Sequence, residues 1–150
     1  MRLVLQRVSR ACVRLDGVGG PQARSIGPGM VVLVGVGPRD DAGTAERMAG
    51  KVAGLRVFSN PDGKFDRSLL DIAGEALVVS QFTLYGDCTR GRRPDFTGAM
   101  GPEAAEPLYR AFVAALSASG VQVKTGEFGA HMEVELVNDG PVTIWLDSEA

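Results

Sequence analysis

Met30-Val31-Val32-Leu33-Val34-Gly35-Val36 runs for seven residues without a polar side chain, the pattern of a β-strand covered on both faces. Such a strand needs a packed layer on each side, so the chain has to build a layered domain. A second apolar run, Ala76-Leu77-Val78-Val79, repeats the demand and leads into Ser80-Gln81-Phe82-Thr83-Leu84. Between the two, Ala45, Met48, Val52 and Leu55 recur at helical spacing and are placed on the sheet-facing side of a helix. Pro38-Arg39-Asp40-Asp41 breaks the preceding strand, and its acidic pair supplies a cap. Gly50 and Gly54 weaken this helix by about 1 kcal/mol each relative to Ala, so packing must hold it. Further on, Leu108, Phe112, Ala115 and Leu116 mark one side of a second helix, with Pro107 either its first residue or a kink.

The remaining segments read as strands and turns. Leu3 to Val8 and Ala11 to Leu15 look like two strands. Asp16 to Pro28 reads as a Gly- and Pro-rich connection with a short strand around Ala23 to Ile26. Ser59-Asn60-Pro61-Asp62-Gly63 is a turn, and Phe65 to Leu70 an excursion without a clear period. Val121 to Val123, His131 to Val137 and Val142 to Asp147 complete the sheet; the second of these alternates Met132, Val134 and Leu136 against His131, Glu133 and Glu135. Strands joined by two helical crossovers predict a single α/β layered domain over residues 1–150.

Composition excludes several classes. With 45% hydrophobic and 23% charged residues the chain is an ordinary globular one. A formal charge of −2 argues against wholesale electrostatic binding of nucleic acid, although Arg90, Arg92 and Arg93 form a basic cluster that reads either as a solvated loop or as a phosphate contact. Cys12 and Cys88 give no disulfide framework, and with one histidine they offer no metal set, so no metal and no cofactor is expected. No stretch has the pattern of a signal peptide or the ~20 apolar residues of a membrane span. A cytoplasmic protein without membrane attachment is the expectation.

Two segments carry the chemistry. Asn138-Asp139-Gly140-Pro141-Val142-Thr143 separates two apolar runs, with Gly tolerating positive φ and Pro removing a donor. It reads as an ordinary hairpin turn, or as the Gly-Pro bond of a functional element, since X-Pro is where cis peptides occur. Ser80 to Thr83 reads as a strand end whose hydroxyls serve local backbone, or as an active-site edge. Neither Ser80, Thr83 nor Thr143 has an adjacent general base in the sequence, and no G-x-S-x-G elbow is present. His131 lies opposite Met132 on a strand, with a direct role or none.

Taken together, the two segments resemble the signature pair of the D-aminoacyl-tRNA deacylases, which carry SQFTL in the first position and N-x-GP-x-T in the second. Asp71 to Glu75, Arg90 to Pro94 and Thr125 to Ala130 look like further family segments, in the family's order, so the resemblance runs from about Met1 to Asp147. It implies two packed β layers, barrel-like, with two helices on one face. By this resemblance the chain would hydrolyse the ester of D-aminoacyl-tRNA, and of glycyl-tRNA, at the 3′ end. A ribose hydroxyl of the RNA would assist, and main-chain N–H groups around Phe82 and Thr83 would stabilise the oxyanion. Ser80, Gln81, Phe82, Thr83 and Thr143 would form the catalytic set. Gly140 and Pro141 would hold the substrate ammonium and reject L side chains by collision. Phe128 and Met132 would line the adenosine pocket, and Arg7 would support the Gly-Pro segment. The resemblance also implies a homodimer with Gly140-Pro141 inserted into the partner's site. A non-catalytic dimeric module that binds RNA 3′ ends, and a hydroxyl-nucleophile esterase, are the alternatives. The chain departs from the family pattern at Lys64-Phe65-Asp66-Arg67 and at Gly19-Gly20-Pro21.

Overall fold

In a computed structural model, residues 1–17 and 20–150 are described. Strand β1 (Arg2–Gly17) is followed by β2 (Gly20–Ile26), β3 (Gly29–Gly35), helix α1 (Ala42–Gly54), the short strands β4 (Phe58–Ser59) and β5 (Phe65–Arg67), and β6 (Glu75–Ser80). A 3-10 turn (Phe82–Tyr85), helix α2 (Pro102–Ala118), β7 (Gln122–Thr125) and β8 (Met132–Asp147) complete the chain.

Parallel pairing of β3 with β6, and of β6 with β7, requires crossovers, which α1 and α2 supply. Both helices lie on one face of the sheet. There Leu3, Leu5, Met30, Val32, Val34, Ala76 and Val78 pack against Ala45, Met48, Val52, Phe112 and Leu116. The alternate residues Val31, Leu77 and Val79 point the other way and meet Val8, Ala11, Val13 and Ile26 in a second core. That division is the two-residue period of a strand used on both faces, and it explains why β3 and β6 read as unbroken apolar runs. The domain therefore has three layers, two β and one helical.

β1 is one strand, not two. It pairs with β8 along nearly its whole length, with β3 at Arg2 to Val8, and with β2 at Ala11 to Gly17. Since β8 overlaps both registers, β2 and β3 share the opposite edge of β1. A register shift between Val8 and Arg10 switches the strand's inward face, so that Leu3 and Leu5 enter the helix-side core while Ala11 and Val13 enter the other. Sequence alone reads this bulge as a break. The predicted connection at Asp16 to Pro28 is mostly strand; Gly19, in the departure noted above, lies outside the described residues. β2 then curls towards β7, where Arg24 donates to Thr125 O at 2.8 Å and Gly126 O at 3.2 Å, nearly closing a barrel. Gly29 opens the β3–β6 pairing at a close approach: a Cβ there would lie 1.9 Å from Glu75 O.

Several local expectations need correction. Asp41 alone caps α1, accepting the Thr44 N–H at 2.7 Å, while Asp40 is buried and binds the Met1 ammonium and the Gly37 N–H. Leu55 is the C-cap and only partly buried. Helix α2 starts at Pro102, so Pro107 sits inside it. Its buried stripe is Ala105, Tyr109, Phe112 and Leu116, with Leu108 and Ala115 only partly buried. A tyrosine belongs there because its hydroxyl reaches Val78 O at 2.9 Å. The Phe65 excursion is a short antiparallel pair, β4 with β5.

Candidate active site at the end of strand β6

β6 ends at Ser80, and the chain turns at once into the 3-10 turn. Tyr85 anchors that turn from below. It is buried, and Gly37 leaves the room its hydroxyl occupies, because a Cβ on Gly37 would lie 2.3 Å from it. Arg2 locks the far end, stacking over the Tyr85 ring at 4.4 Å and donating to Leu84 O at 3.1 Å. Burial raises the Tyr85 pKa well above the ordinary phenol range and keeps it neutral. With its frame fixed, the turn presents outward. Phe82 is 58% exposed, and the N–H groups of Phe82 and Thr83 meet no acceptor among the described residues.

A cleft of about 610 Å³ opens beside this turn. Val34, Val36, Val79 and Ala105 form its floor, and Ser80, Gln81 and Phe82 one wall. Phe128 to Met132 form another wall, and Phe96 with Ala99 to Pro102 completes the lining. Phe82 and Phe96 meet edge-on with centroids 5.2 Å apart. On the other wall Phe128 leans on Tyr109, centroids 5.7 Å apart. Met132 packs directly on Gly126, whose added Cβ would lie 2.4 Å from the sulfur, and the sulfur accepts the Glu127 N–H at 3.4 Å. Ser80, Gln81, Phe82, Phe128 and Met132 are thus brought together within one chain. His131 also lines the cleft and is exposed, with no hydrogen bond to any described side chain.

Thr83, Thr143, Gly140, Pro141 and Arg7 do not line that cleft. Thr83 Oγ1 accepts a hydrogen bond from the Gln81 side-chain amide. Asn138 to Val142 is not a hairpin turn, because β8 continues through it. Gln6 faces Thr143 and Val8 faces Asn138, so Arg7 alone spans Asp139, Gly140, Pro141 and Val142. The surplus bulges outward with Asp139, Gly140 and Pro141 exposed, and the Gly140-Pro141 bond is cis. Gly140 has φ +130°, and an L side chain there would strike Val142 and the Arg7 guanidinium.

The bulge is held at both ends. Arg7 Nε donates to Asp139 O at 3.0 Å and lies 3.3 Å from the Asp139 carboxylate, while Nη1 donates to the buried Val57 O at 2.7 Å. The Phe65 ring lies against the same guanidinium, 5.4 Å away. At the other end, Asn138 Oδ1 accepts the Val142 N–H at 3.0 Å, and Thr143 Oγ1 accepts from Asn138 Nδ2 at 3.1 Å and Gln6 Nε2 at 3.3 Å.

The sequence missed Tyr109, Phe96, Met100 and Gly126. Tyr109 is legible in the sequence, one turn from Ala105 and three residues from Phe112, at the spacing of the helix's buried stripe. Phe96 is not, because it reaches the cleft only through the fold of its loop. None of the hydroxyls at Ser80, Thr83 and Thr143 is hydrogen-bonded to a basic side chain among the described residues. No cluster of three or more metal-ligating side chains occurs among those residues either.

A largely apolar cleft at a strand end, with the Phe82 N–H free beside it, is the usual place for a ligand site in an α/β domain. Comparison with known proteins narrows the class. Residues 4–147 match the family model for D-Tyr-tRNA(Tyr) deacylase. The chain is 60% identical over 149 residues to a D-aminoacyl-tRNA deacylase of Symbiobacterium thermophilum, covering 99% of this chain and 97% of that one. It is 52% identical over 147 residues to one from Deinococcus radiodurans, covering 98% and 99%. A solved structure of a c-Myc DNA unwinding element binding protein superposes with TM-score 0.89 at 44% identity over both whole chains. That of a probable eukaryotic D-amino acid tRNA deacylase superposes at 0.83 with 19% identity over 97% of each, a likeness of fold. The chain belongs to the D-Tyr-tRNA(Tyr) deacylase family, and is by that membership a hydrolase of the deacylase type.

Proposed function

We propose that this protein hydrolyses the ester of D-aminoacyl-tRNA, releasing the free D-amino acid and tRNA, and that it also deacylates glycyl-tRNA. One observation carries the reading: Phe82 lines the cleft together with Phe128 and Met132, and its N–H and that of Thr83, the next residue of the turn, meet no acceptor among the described residues. The terminal adenosine of the RNA enters between Phe128 and Met132, where a ring and a thioether suit a base. Its esterified ribose then lies at the end of β6. The two N–H groups meet the oxygen that gains charge as water attacks, a contribution of about 2.7–4 kcal/mol per donor. Ser80 and Gln81 order the wall around it. His131 lines the cleft, but among the described residues no basic side chain is hydrogen-bonded to the hydroxyl of Ser80, Thr83 or Thr143, which favours attack by water oriented by the neighbouring ribose hydroxyl.

Handedness falls to Gly140 and Pro141. They do not line the cleft of their own chain, so they act on the cleft of a second copy, which makes the working unit a homodimer. The outer edge of β8 supports this arrangement: no described strand pairs with it, and the strand also carries the exposed apolar residues Val137 and Trp145. In the dimer the bare main chain of the bulge accepts the substrate ammonium. An L side chain then collides with backbone, a D side chain leaves towards solvent, and glycine has nothing to collide. Arg7 and Thr143 hold the bulge at its two ends. Such an enzyme acts where aminoacyl-tRNA is made and used, the cytoplasm. No described helix is long and apolar enough to cross a membrane.

The deciding experiment is deacylation of one tRNA charged with a D or an L amino acid, alongside D-charged tRNA ending in 2′-deoxyadenosine. Release of D only, and loss of turnover with the deoxy substrate, is the expected result. Full turnover of the deoxy substrate would overturn RNA assistance, and retained binding without release would favour a module that only holds RNA ends. Thr83→Ala should largely survive, because a nucleophile is not what that residue provides.

A further inference from the structure

Resting on that reading, we propose that the loop carrying Arg90, Arg92 and Arg93 is a phosphate clamp that grips the RNA backbone just behind the reacting end. The loop leaves the cleft mouth at one aromatic ring and returns at the other: Phe82 precedes it and Phe96 follows it, and those two rings touch. Its base is a small antiparallel bridge, with the Asp87 N–H donating to Asp95 O at 2.7 Å and the Asp95 N–H to Asp87 O at 2.9 Å. The two aspartate side chains are occupied in shaping that base. Asp87 Oδ1 accepts the Thr89 N–H at 2.8 Å, and Asp95 Oδ1 accepts the Thr97 N–H at 2.7 Å. Neither forms an ion pair with the arginines beyond it. Gly91, at φ +73°, turns the tip.

All three arginines are exposed and pair with no carboxylate among the described residues. Elsewhere on the surface Arg2, Arg14, Arg39 and Arg110 are matched by Asp147, Glu135, Glu149 and Glu106. Arg10, Arg47, Lys51, Lys64 and Arg67 also pair with no carboxylate among the described residues, but no four-residue stretch of these holds more than two. On a chain of net charge −2, this loop tip by contrast gathers three unmatched arginines within four residues beside the cleft. Arg92 stands three residues from Asp95, a reach of at most ~10 Å, so the tip meets the last few nucleotides of a strand whose end is in the cleft. A guanidinium fork suits phosphate oxygens and carries no base preference, which fits an enzyme that has to accept many tRNAs.

The test is binding of an uncharged RNA hairpin with a single-stranded 3′ overhang, measured against salt, for the parent and for variants changed at all three positions. Each phosphate contact contributes about 0.7–0.9 to the slope of log K against log salt. The Arg→Gln triple should flatten the slope by about 2 and weaken binding at least ~10-fold near physiological salt, whereas the Arg→Lys triple should keep most of both. Hydrolysis of the D-aminoacyl ester of adenosine, which carries no phosphate, should be unchanged in each. An unaltered slope in the Gln triple, equal losses in the Lys and Gln triples, or a parallel loss on the phosphate-free ester would overturn the clamp. Failure of the parent to hydrolyse any D-aminoacyl ester would instead remove the functional reading, and the salt slope would still decide the loop.

Discussion

Arg7 offers a sharp perturbation, because it holds the Gly140-Pro141 bulge and the fold with the same guanidinium. Its bond to Val57 O is short and buried, and its bond to Asp139 O lies beside an exposed carboxylate. A charge-assisted bond contributes about 1.5–3 kcal/mol, and a carbonyl left unpaired in the interior costs about 1–3 kcal/mol. Water can replace the Asp139 contact but has little access to Val57. Arg7→Ala should therefore destabilise by roughly 2–4 kcal/mol, lowering Tm by roughly 5–15 °C in a domain of this size. Arg7→Lys, with one ammonium in place of a fork, should retain one of the two bonds and fall between. Thermal and urea unfolding measure the stability. Deacylation of a D/L pair on one tRNA, run well below the melting range, measures whether the bulge has moved, and a fall of ~10-fold or more in the D-over-L ratio corresponds to about 1.4 kcal/mol. An Arg7→Ala protein within ~0.5 kcal/mol of the parent, with its D/L ratio intact, would show that the guanidinium braces neither.

Three further outcomes follow from other sites. Gly126→Ala puts a methyl where the Met132 sulfur sits, so Met132 must swing into the cleft; KM for D-aminoacyl-tRNA should rise several-fold with the melting temperature little changed. Gly50→Ala, in an exposed helical position with open space around it, should stabilise by about 0.5–1 kcal/mol, read as a Tm gain of about 1–4 °C. Asp41 is held below its ordinary carboxyl pKa, first by the Thr44 N–H and then by the Thr44 hydroxyl. A folded-state pKa depressed in this way adds stability above the unfolded value, about 4, and that stability is lost as pH falls through the folded value. The Tm difference between the parent and Asp41→Ala should therefore shrink on acidification below pH ~4, and a gap that widened there would refute the assignment.

Layering was legible because β3 and β6 are apolar on both faces, and their neighbours carry helical spacing. Continuity of β1 and β8 was not legible. A bulge is local surplus backbone, and Ser9-Arg10 or Asn138 to Val142 has the same composition as a turn until the partner strand's register is known. Hairpin and bulge differ in what lies opposite, a long-range fact. The cleft was half visible for the same reason. Ser80 to Phe82 and Phe128 to Met132 announce themselves by local pattern, yet Phe96 and Tyr109 enter through a loop and a helix whose placement depends on the finished sheet. Arg7 sits in a strand whose alternation marks it as inward-facing. Its hydrogen-bond partners, Val57 and Asp139, lie 50 and 132 residues away.

The cleft has no floor of its own. Val34, Val36 and Ala105 belong at once to the packed interior shared by sheet and helices and to the surface an occupant would touch. Occupancy and cohesion are thus drawn from one set of atoms. Anything seated there raises resistance to unfolding by RT ln(1 + [L]/Kd), and whatever loosens the helix layer weakens the grip on the occupant. Heat should therefore empty the cleft and part the layers in a single transition.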